Sequence, residues 1–241
     1  MTTGANQLTE LRKRFDEVRA RIDACALRCS RAPEEITLIA VTKTHPVDIL
    51  RAALSIGAHD LGENRVQEAE PKIAELGRTA ARWHLIGHLQ ANKARRAVNL
   101  FDMVHSVDTV ELAQRLNRLC AEEKRAELPI LIQVDLAGEE TKTGAHESEL
   151  TALAQAVSAS EHLRLRGLMT LPPFFADAEL ARPYFKRLRE LRDEMLAHGH
   201  FGAEHGELSM GMTHDFEVAI EEGATMVRIG TALFGEREPQ T

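Results

Sequence analysis

The sequence predicts an α/β fold, a closed (β/α)8 TIM barrel with one extra helix in front of it. Three observations predict it. Eight short apolar or β-branched runs are each followed by a helical pattern, and such alternation implies parallel strands joined by right-handed crossovers. Eight units in about 200 residues match the size of a closed barrel. Polar residues and glycines gather where the strands end, the side on which barrel sites are built. An open doubly wound sheet is the alternative, and about five to seven strands would suffice for it.

Leu8 to about Cys29 reads as an amphipathic helix. Leu8, Leu11, Phe15, Val18, Ile22, Cys25 and Cys29 recur at spacings of three and four, with charges between them. Pro33 follows its end. Ile36 to Thr44, ITLIAVTKT, is a continuous apolar run closed by turn chemistry, the pattern of a strand buried on both faces. It places Lys43 at the carboxyl end of the first strand. There a low-dielectric wall favours the neutral amine, the form that attacks an aldehyde.

The remaining units follow in order. A helix over Val47 to Ile56 stops at Gly57, and a strand over Ala58 to Leu61 ends in Gly62, Glu63 and Asn64. A helix from Val66 to Leu76 precedes the strand Trp83 to Ile86, which ends in Gly87 and His88. A short helix over Ala91 to Val98 precedes the strand Met103 to His105. Asp108 caps a long helix reaching about Lys124, and Pro129 opens the strand Ile130 to Val134. Glu147 to Ser158 is helical, Leu163 to Leu168 a strand ending in Met169, and Ala178 to His198 a long helix. Glu207 to Ser209 is a short strand, and a helix opening at Thr213 and Asp215 stops at Gly223. Thr225 to Ile229 is the last strand, with a closing helix from Thr231 to Phe234. Residues 1–241 read as one barrel domain ordered over about 8–235, with the first few residues and the tail after Arg237 loose.

Composition narrows the function classes. The chain has 241 residues, 28% charged and 44% hydrophobic, with net charge −7. That balance argues against a nucleic-acid binder or an anionic membrane surface as partner. It leaves room for a local basic pocket that holds one small phosphate. Three cysteines, Cys25, Cys29 and Cys120, speak against a disulfide framework and for a reducing compartment. No run has the length of a signal peptide core or a membrane span, so a cytoplasmic protein is expected.

The strand ends carry the chemistry. Ser209-Met210-Gly211-Met212-Thr213 ends one strand and Arg228-Ile229-Gly230-Thr231 the next. Glycines there let the backbone approach a ligand, and their N–H groups with the short helix from Thr231 make an anion site. A phosphate after strands seven and eight is common in this architecture. With a lysine on the other side of the mouth, one ligand touching both is expected. Pyridoxal 5′-phosphate, with an aldehyde and a phosphate on one ring, meets that description.

The stretches VTKTHP, GENRVQE, WHLIGHLQANK, HSVD, ILIQVDLAGEETKTG, RGLMTLPP and LSMGMTHDFEVAIEEGATMVRIGTALFG closely resemble the pyridoxal-phosphate homeostasis protein family. That family consists of single-domain relatives of the alanine racemase N-terminal barrel, and the resemblance runs from about Leu8 to Gly235. It implies a covalent Schiff base of the vitamin B6 cofactor on Lys43. It implies phosphate contacts from Ser209, Gly230 and Thr231 and from the backbone near Gly211. It places Asn64, His84 and Met169 at or near the ring. Thr213 departs from the family pattern, where serine is expected, but keeps a hydroxyl. In racemase-like barrels the arginine matching Arg228 faces the pyridine nitrogen. An arginine only donates, so the nitrogen must accept and stay unprotonated, which makes the ring a weak electron sink.

The single tyrosine, Tyr184, opens a helix and reads as packing rather than as the second acid/base a racemase needs. The resemblance therefore implies a carrier. It would hold pyridoxal phosphate, buffer it and hand it to PLP-dependent apoenzymes as a monomer, with little or no turnover. A weak amino-acid racemase is the alternative. A metal-dependent barrel hydrolase using His84, His88, His105 and Asp135 is a further rival, as is a scaffold acting through the Leu8–Cys29 helix. Gln90 to Arg96 reads as a solvated basic face, and Asp135 to Gly144 as a polar loop over the site.

Overall fold

The computed structural model describes residues 2–138, 143–202 and 205–235. The tail after Arg237 and the middle of the Asp135–Gly144 loop lie outside the described residues.

Eight parallel strands pair in sequence order and close: β1 (Thr37–Val41), β2 (Asp60–Glu63), β3 (Arg82–Leu85), β4 (Met103–Val107), β5 (Leu128–Gln133), β6 (Leu163–Met169), β7 (Glu207–Met212) and β8 (Met226–Ile229). Closure comes from β8 pairing back on β1, with Thr37 opposite Met226 and Ile39 opposite Arg228. The barrel alternative is thus the one observed, and the open sheet is not. Between the strands run α2 (Val47–Ser55), α3 (Val66–Leu76), α4 (Ala94–Leu100), α5 (Val110–Glu122), α6 (Leu150–Ser158), α7 (Arg182–Ala197) and α8 (Phe216–Glu221), and α9 (Thr231–Phe234) follows β8.

The extra helix α1 (Thr2–Arg28) starts earlier than Leu8. Its apolar stripe buries Leu11, Val18, Ile22 and Cys25 against α8 and α9. Burying a side chain of that size contributes about 2 kcal/mol, so the stripe serves as cover for the barrel. Cys25, Cys29 and Cys120 are free thiols. Burial first, and then the neighbouring Cys29, push the Cys25 thiol up to about 11.

Several strand boundaries differ from the sequence reading, two of them for one reason. β2 starts at Asp60 and includes Glu63, and β4 runs on through Ser106 to Val107. Glu63 and Ser106 are polar residues that a strand buried on both faces is not expected to hold, and each finds a partner, Glu63 in Thr42 and Lys72 and Ser106 in the Gly87 carbonyl. β7 runs on to Met212 through residues without a polar side chain. The largest apolar layer lies between the sheet and the helices, around Trp83, Phe101, Phe185 and Phe216. Inside the barrel Ile39, Met103, Leu131, Met169 and Met226 form a small apolar cluster, with Leu171 packed against it. No helix among the described residues is long and apolar enough to cross a membrane.

Candidate functional site

At the carboxyl ends of β1, β7 and β8 a cavity of about 230 Å³ is lined by Lys43, His45, Thr213, Arg228, Gly230 and Thr231, among others. Three local features aim those side chains. Lys43 lies just beyond β1, and the next residue, Thr44, has φ of 67°, a conformation a β-branched residue rarely takes. The pairing of β7 with β8 shifts register between Ser209 and Met212, a bulge that redirects the chain toward Thr213. Thr213 Oγ1 accepts from the Ala232 N–H at 3.3 Å, tying the loop after β7 to α9.

The residue before Lys43 is anchored from below. Thr42 Oγ1 donates to Glu63 Oε1 at 2.7 Å, and Lys72 Nζ donates to the same oxygen at 2.7 Å and to the Thr42 carbonyl at 2.8 Å. Burial pushes the Glu63 carboxyl up, against the opposing pull of Lys72 and Thr42.

Arg228 is 3% exposed and forms the floor of the cavity. It donates to Ser209 Oγ at 2.6 Å and to the Thr170 carbonyl at 2.9 Å. A guanidinium has five N–H donors in a planar fork, so these two bonds fix its plane and leave others on the cavity side. Burial pushes it down to about 10 while the charge of Asp215 resists, so it stays protonated at neutral pH. Asp215 in turn accepts from the Met212 N–H at 2.6 Å. Behind Arg228 the polar contacts continue through the barrel. Ser209 Oγ lies 3.0 Å from His105 Nδ1, His105 Nε2 lies 3.0 Å from His84 Nδ1, and His84 Nε2 lies 2.9 Å from Asp60 Oδ1.

Of the residues expected at the site, Lys43, Arg228, Gly230 and Thr231 meet in this cavity. Ser209 does not line it. It is fully buried behind Arg228, with its oxygen committed to that side chain. His84 lines a second cavity of about 980 Å³ at the opposite mouth, with Asp60 and Arg82. It sits inside β3 and its ring turns toward the start of β2 rather than toward Lys43. Gly211 faces α8. Its φ is 89°, and a Cβ there would lie 2.6 Å from Ala219 Cβ, so helix packing accounts for the glycine. The Met212 amide beside it already serves Asp215. Asn64 follows β2 at the same mouth as Lys43, with its backbone so close to Gly87 that a Cβ on Gly87 would lie 2.4 Å from Asn64 O. Met169 ends β6 within the inner apolar cluster.

Sequence spacing missed Glu63, Lys72, Asp60 and Asp215. The four residues of the metal reading do not converge. His84 and His105 touch each other, whereas His88 lies 3.8 Å from Asp108 and Asp135 accepts from the amides of Ala137 and Gly138. Among the described residues no group of three or more His, Cys, Asp or Glu has metal-holding geometry. Tyr184 stacks on Phe175, with ring centroids 5.8 Å apart, on the outer helix α7. Arg95 and Arg96 of the basic stretch pair with Glu122, Glu123 and Glu70.

Residues 14–238 match the family described as alanine racemase, N-terminal domain. The pyridoxal phosphate homeostasis protein of Escherichia coli K12 is 41% identical, over 96% of this chain and 98% of that protein. The solved structure of PipY from Synechococcus elongatus with PLP bound is 37% identical with a TM-score of 0.81, covering 93% of this chain and 100% of that one. Alanine racemase from Corynebacterium glutamicum shares the fold at a TM-score of 0.66 and 19% identity, with 92% of this chain covering 62% of that one.

Proposed function

This chain belongs to the pyridoxal phosphate homeostasis protein family, and from that membership we propose that it holds pyridoxal 5′-phosphate covalently on Lys43 and passes it to apoenzymes. Its own catalytic turnover is little or none. The observation that carries this reading is the meeting of Lys43, Arg228, Thr213, Gly230 and Thr231 around one cavity. The donor set fits the cofactor: an amine for the aldehyde, a fixed guanidinium for the ring nitrogen, and hydroxyls with backbone amides for the phosphate. Gly230 supports the fit. A Cβ there would meet Val41 Cβ only at 3.5 Å, so packing within the protein does not demand glycine, and the space it leaves adjoins the cavity.

When bound, the cofactor supplies an electron-accepting ring. Here Arg228 acts against that capacity, because a protonated guanidinium gives the ring nitrogen a hydrogen bond and no proton. Thr231, expected at the phosphate from the start, and Thr213 offer it hydroxyls, while Ser209 is engaged by Arg228 and His105. His45 and His214 also line the cavity; His214 Nε2 lies 2.9 Å from the Ala176 carbonyl, and the His45 ring tilts against Phe234 with centroids 4.7 Å apart.

The test is titration of the purified chain with pyridoxal phosphate, followed by borohydride and peptide mapping. A visible band that reduction moves to shorter wavelength, with the label on Lys43, is the expected result. No band at any cofactor concentration would overturn the reading.

A further inference from the structure

Asp60, at the opposite mouth of the barrel, is joined to Arg228 by a continuous set of polar contacts through His84, His105 and Ser209. The direction of every bond in that set follows from one buried hydroxyl. Arg228 can only donate, so it occupies one lone pair of Ser209 Oγ. Among the described residues the only other hydrogen-bond partner of that hydroxyl is His105 Nδ1 at 3.0 Å. The serine proton must therefore go to His105 Nδ1, because a buried hydroxyl proton without an acceptor costs about 1–3 kcal/mol.

His105 then carries its proton on Nε2 and donates it to His84 Nδ1. His84 in turn carries its proton on Nε2 and donates to Asp60 Oδ1. Each link thus donates in the same sense, from a guanidinium at the cofactor side to a carboxylate at the other. The two rings meet edge-on, with centroids 5.1 Å apart and planes 79° apart, as a ring N–H aimed at a ring nitrogen requires. Asp60 also faces Arg82 at 2.9 Å, and the cavity of about 980 Å³ opens onto this acid end.

We propose that Asp60 is a positioning residue for Arg228: it accepts the last proton of the hydrogen-bond chain, so that the direction the guanidinium imposes at Ser209 meets an acceptor at the far end, and the guanidinium is held as a donor to the ring nitrogen from across the barrel. This rests on the reading of the Lys43 cavity as a pyridoxal phosphate site only in its last clause. The direction of the chain stands without the cofactor.

The experiment is long-range 1H–15N correlation of the histidine rings in the full chain at pH 7, without added cofactor. His84 and His105 are expected as neutral rings protonated on Nε2. In Asp60→Leu the acceptor is gone, and the His84 Nε2–H resonance is expected to lose its hydrogen-bonded downfield position while His105 keeps Nε2–H. A His105 ring protonated on Nδ1 in the unmodified chain, or a doubly protonated His84, overturns the proposal. So does a His84 Nε2–H resonance unchanged in Asp60→Leu. Should that variant fail to fold, the unmodified chain still decides the direction. A second readout uses pyridoxal phosphate: Asp60→Leu is expected to shift the visible maximum of the loaded chain, and a maximum that does not move overturns the coupling to the ring. If no variant takes up pyridoxal phosphate, the cofactor reading fails, and the tautomers still support or overturn the chain.

Discussion

Lys72 Nζ lies 2.7 Å from Glu63 Oε1, and the two form an ion pair almost without solvent contact beneath the residue that precedes Lys43. Glu63 Oε2 is buried without a hydrogen-bond partner among the described residues, where Lys72 and Thr42 are the groups that stabilise that carboxylate. Removing one member of such a pair strands the other charge.

Lys72→Ala is accordingly expected to lower the unfolding free energy by about 3–5 kcal/mol, read as the urea midpoint. Replacing both partners by apolar residues of similar volume, Lys72→Met with Glu63→Leu, is expected to recover most of that loss. A single variant within 1 kcal/mol of the parent, as an order of magnitude, would mean that water reaches Glu63.

Thr44, next to Lys43, bears a left-handed φ of 67°. That conformation costs an L-residue about 1–2 kcal/mol, and glycine escapes the steric part while losing about 0.5–1 kcal/mol of chain entropy. Thr44→Gly is expected to stabilise the cofactor-free chain by up to about 1 kcal/mol and to slow formation of the Lys43 adduct, because the lysine is held less firmly. A destabilised Thr44→Gly chain would show that the threonine side chain contributes more than the strain it bears.

The barrel was legible because its outer faces are apolar. ITLIAV and ILIQV read as strands at sight, and the helical stripes between them repeat at the right period. Lys43, Arg228, Gly230 and Thr231 were legible for a different reason: parallel strands bring their ends to one mouth, so position along a strand implies position in space. The polar barrel interior was not. Asp60, His84, His105 and Ser209 lie on four different strands, and no spacing along the chain records that their side chains meet on the axis. A charged residue such as Glu63 reads as the end of a strand until the partner that neutralises it is seen. Gly211 admits two readings. It stands in a stretch that resembles a phosphate loop, and the close approach of α8 also asks for a glycine there.

Gly211→Ala separates those two readings. The new Cβ would lie 2.6 Å from Ala219 Cβ and 2.9 Å from Phe216 Cα, at a φ of 89°. Overpacking and backbone strain together are expected to cost about 3 kcal/mol. In a chain of this size that lowers the melting temperature by roughly 10 °C, with cofactor absent. An unchanged melting temperature together with weakened phosphate binding would return Gly211 to the ligand.

Acid sensitivity should originate inside the barrel. Burial first, and then the neighbouring His84 and Arg228, push His105 well below its ordinary value. Below about pH 6.5 the unfolded chain binds a proton at this residue that the folded chain refuses. Stability from His105 is therefore full above that pH and is lost as pH falls, by up to about 1.4 kcal/mol per pH unit. Burial alone would raise Asp60, but His84 and Arg82 hold it below its ordinary value, and it adds a second loss at lower pH. Urea midpoints measured from pH 7 to pH 5 are expected to fall, and to fall less steeply in His105→Gln. Parallel profiles would place the acid-sensitive group elsewhere.

Lys43 is half-buried and lies outside any strand, so replacing it should disturb binding far more than folding. Lys43→Ala is expected to unfold within about 1 kcal/mol of the parent and to yield no borohydride-trapped adduct. The phosphate contacts proposed for Thr213, Gly230 and Thr231 do not depend on the amine. The variant should therefore retain a non-covalent cofactor that dialysis removes and that competing inorganic phosphate displaces. Lys43→Arg is expected to behave the same way, since a guanidinium keeps the charge and cannot add to an aldehyde under these conditions. An adduct trapped at the parental level in either variant would move the covalent site to another lysine. A chain that loses all affinity, fold intact, would show that the covalent bond, and not the phosphate, supplies most of the binding.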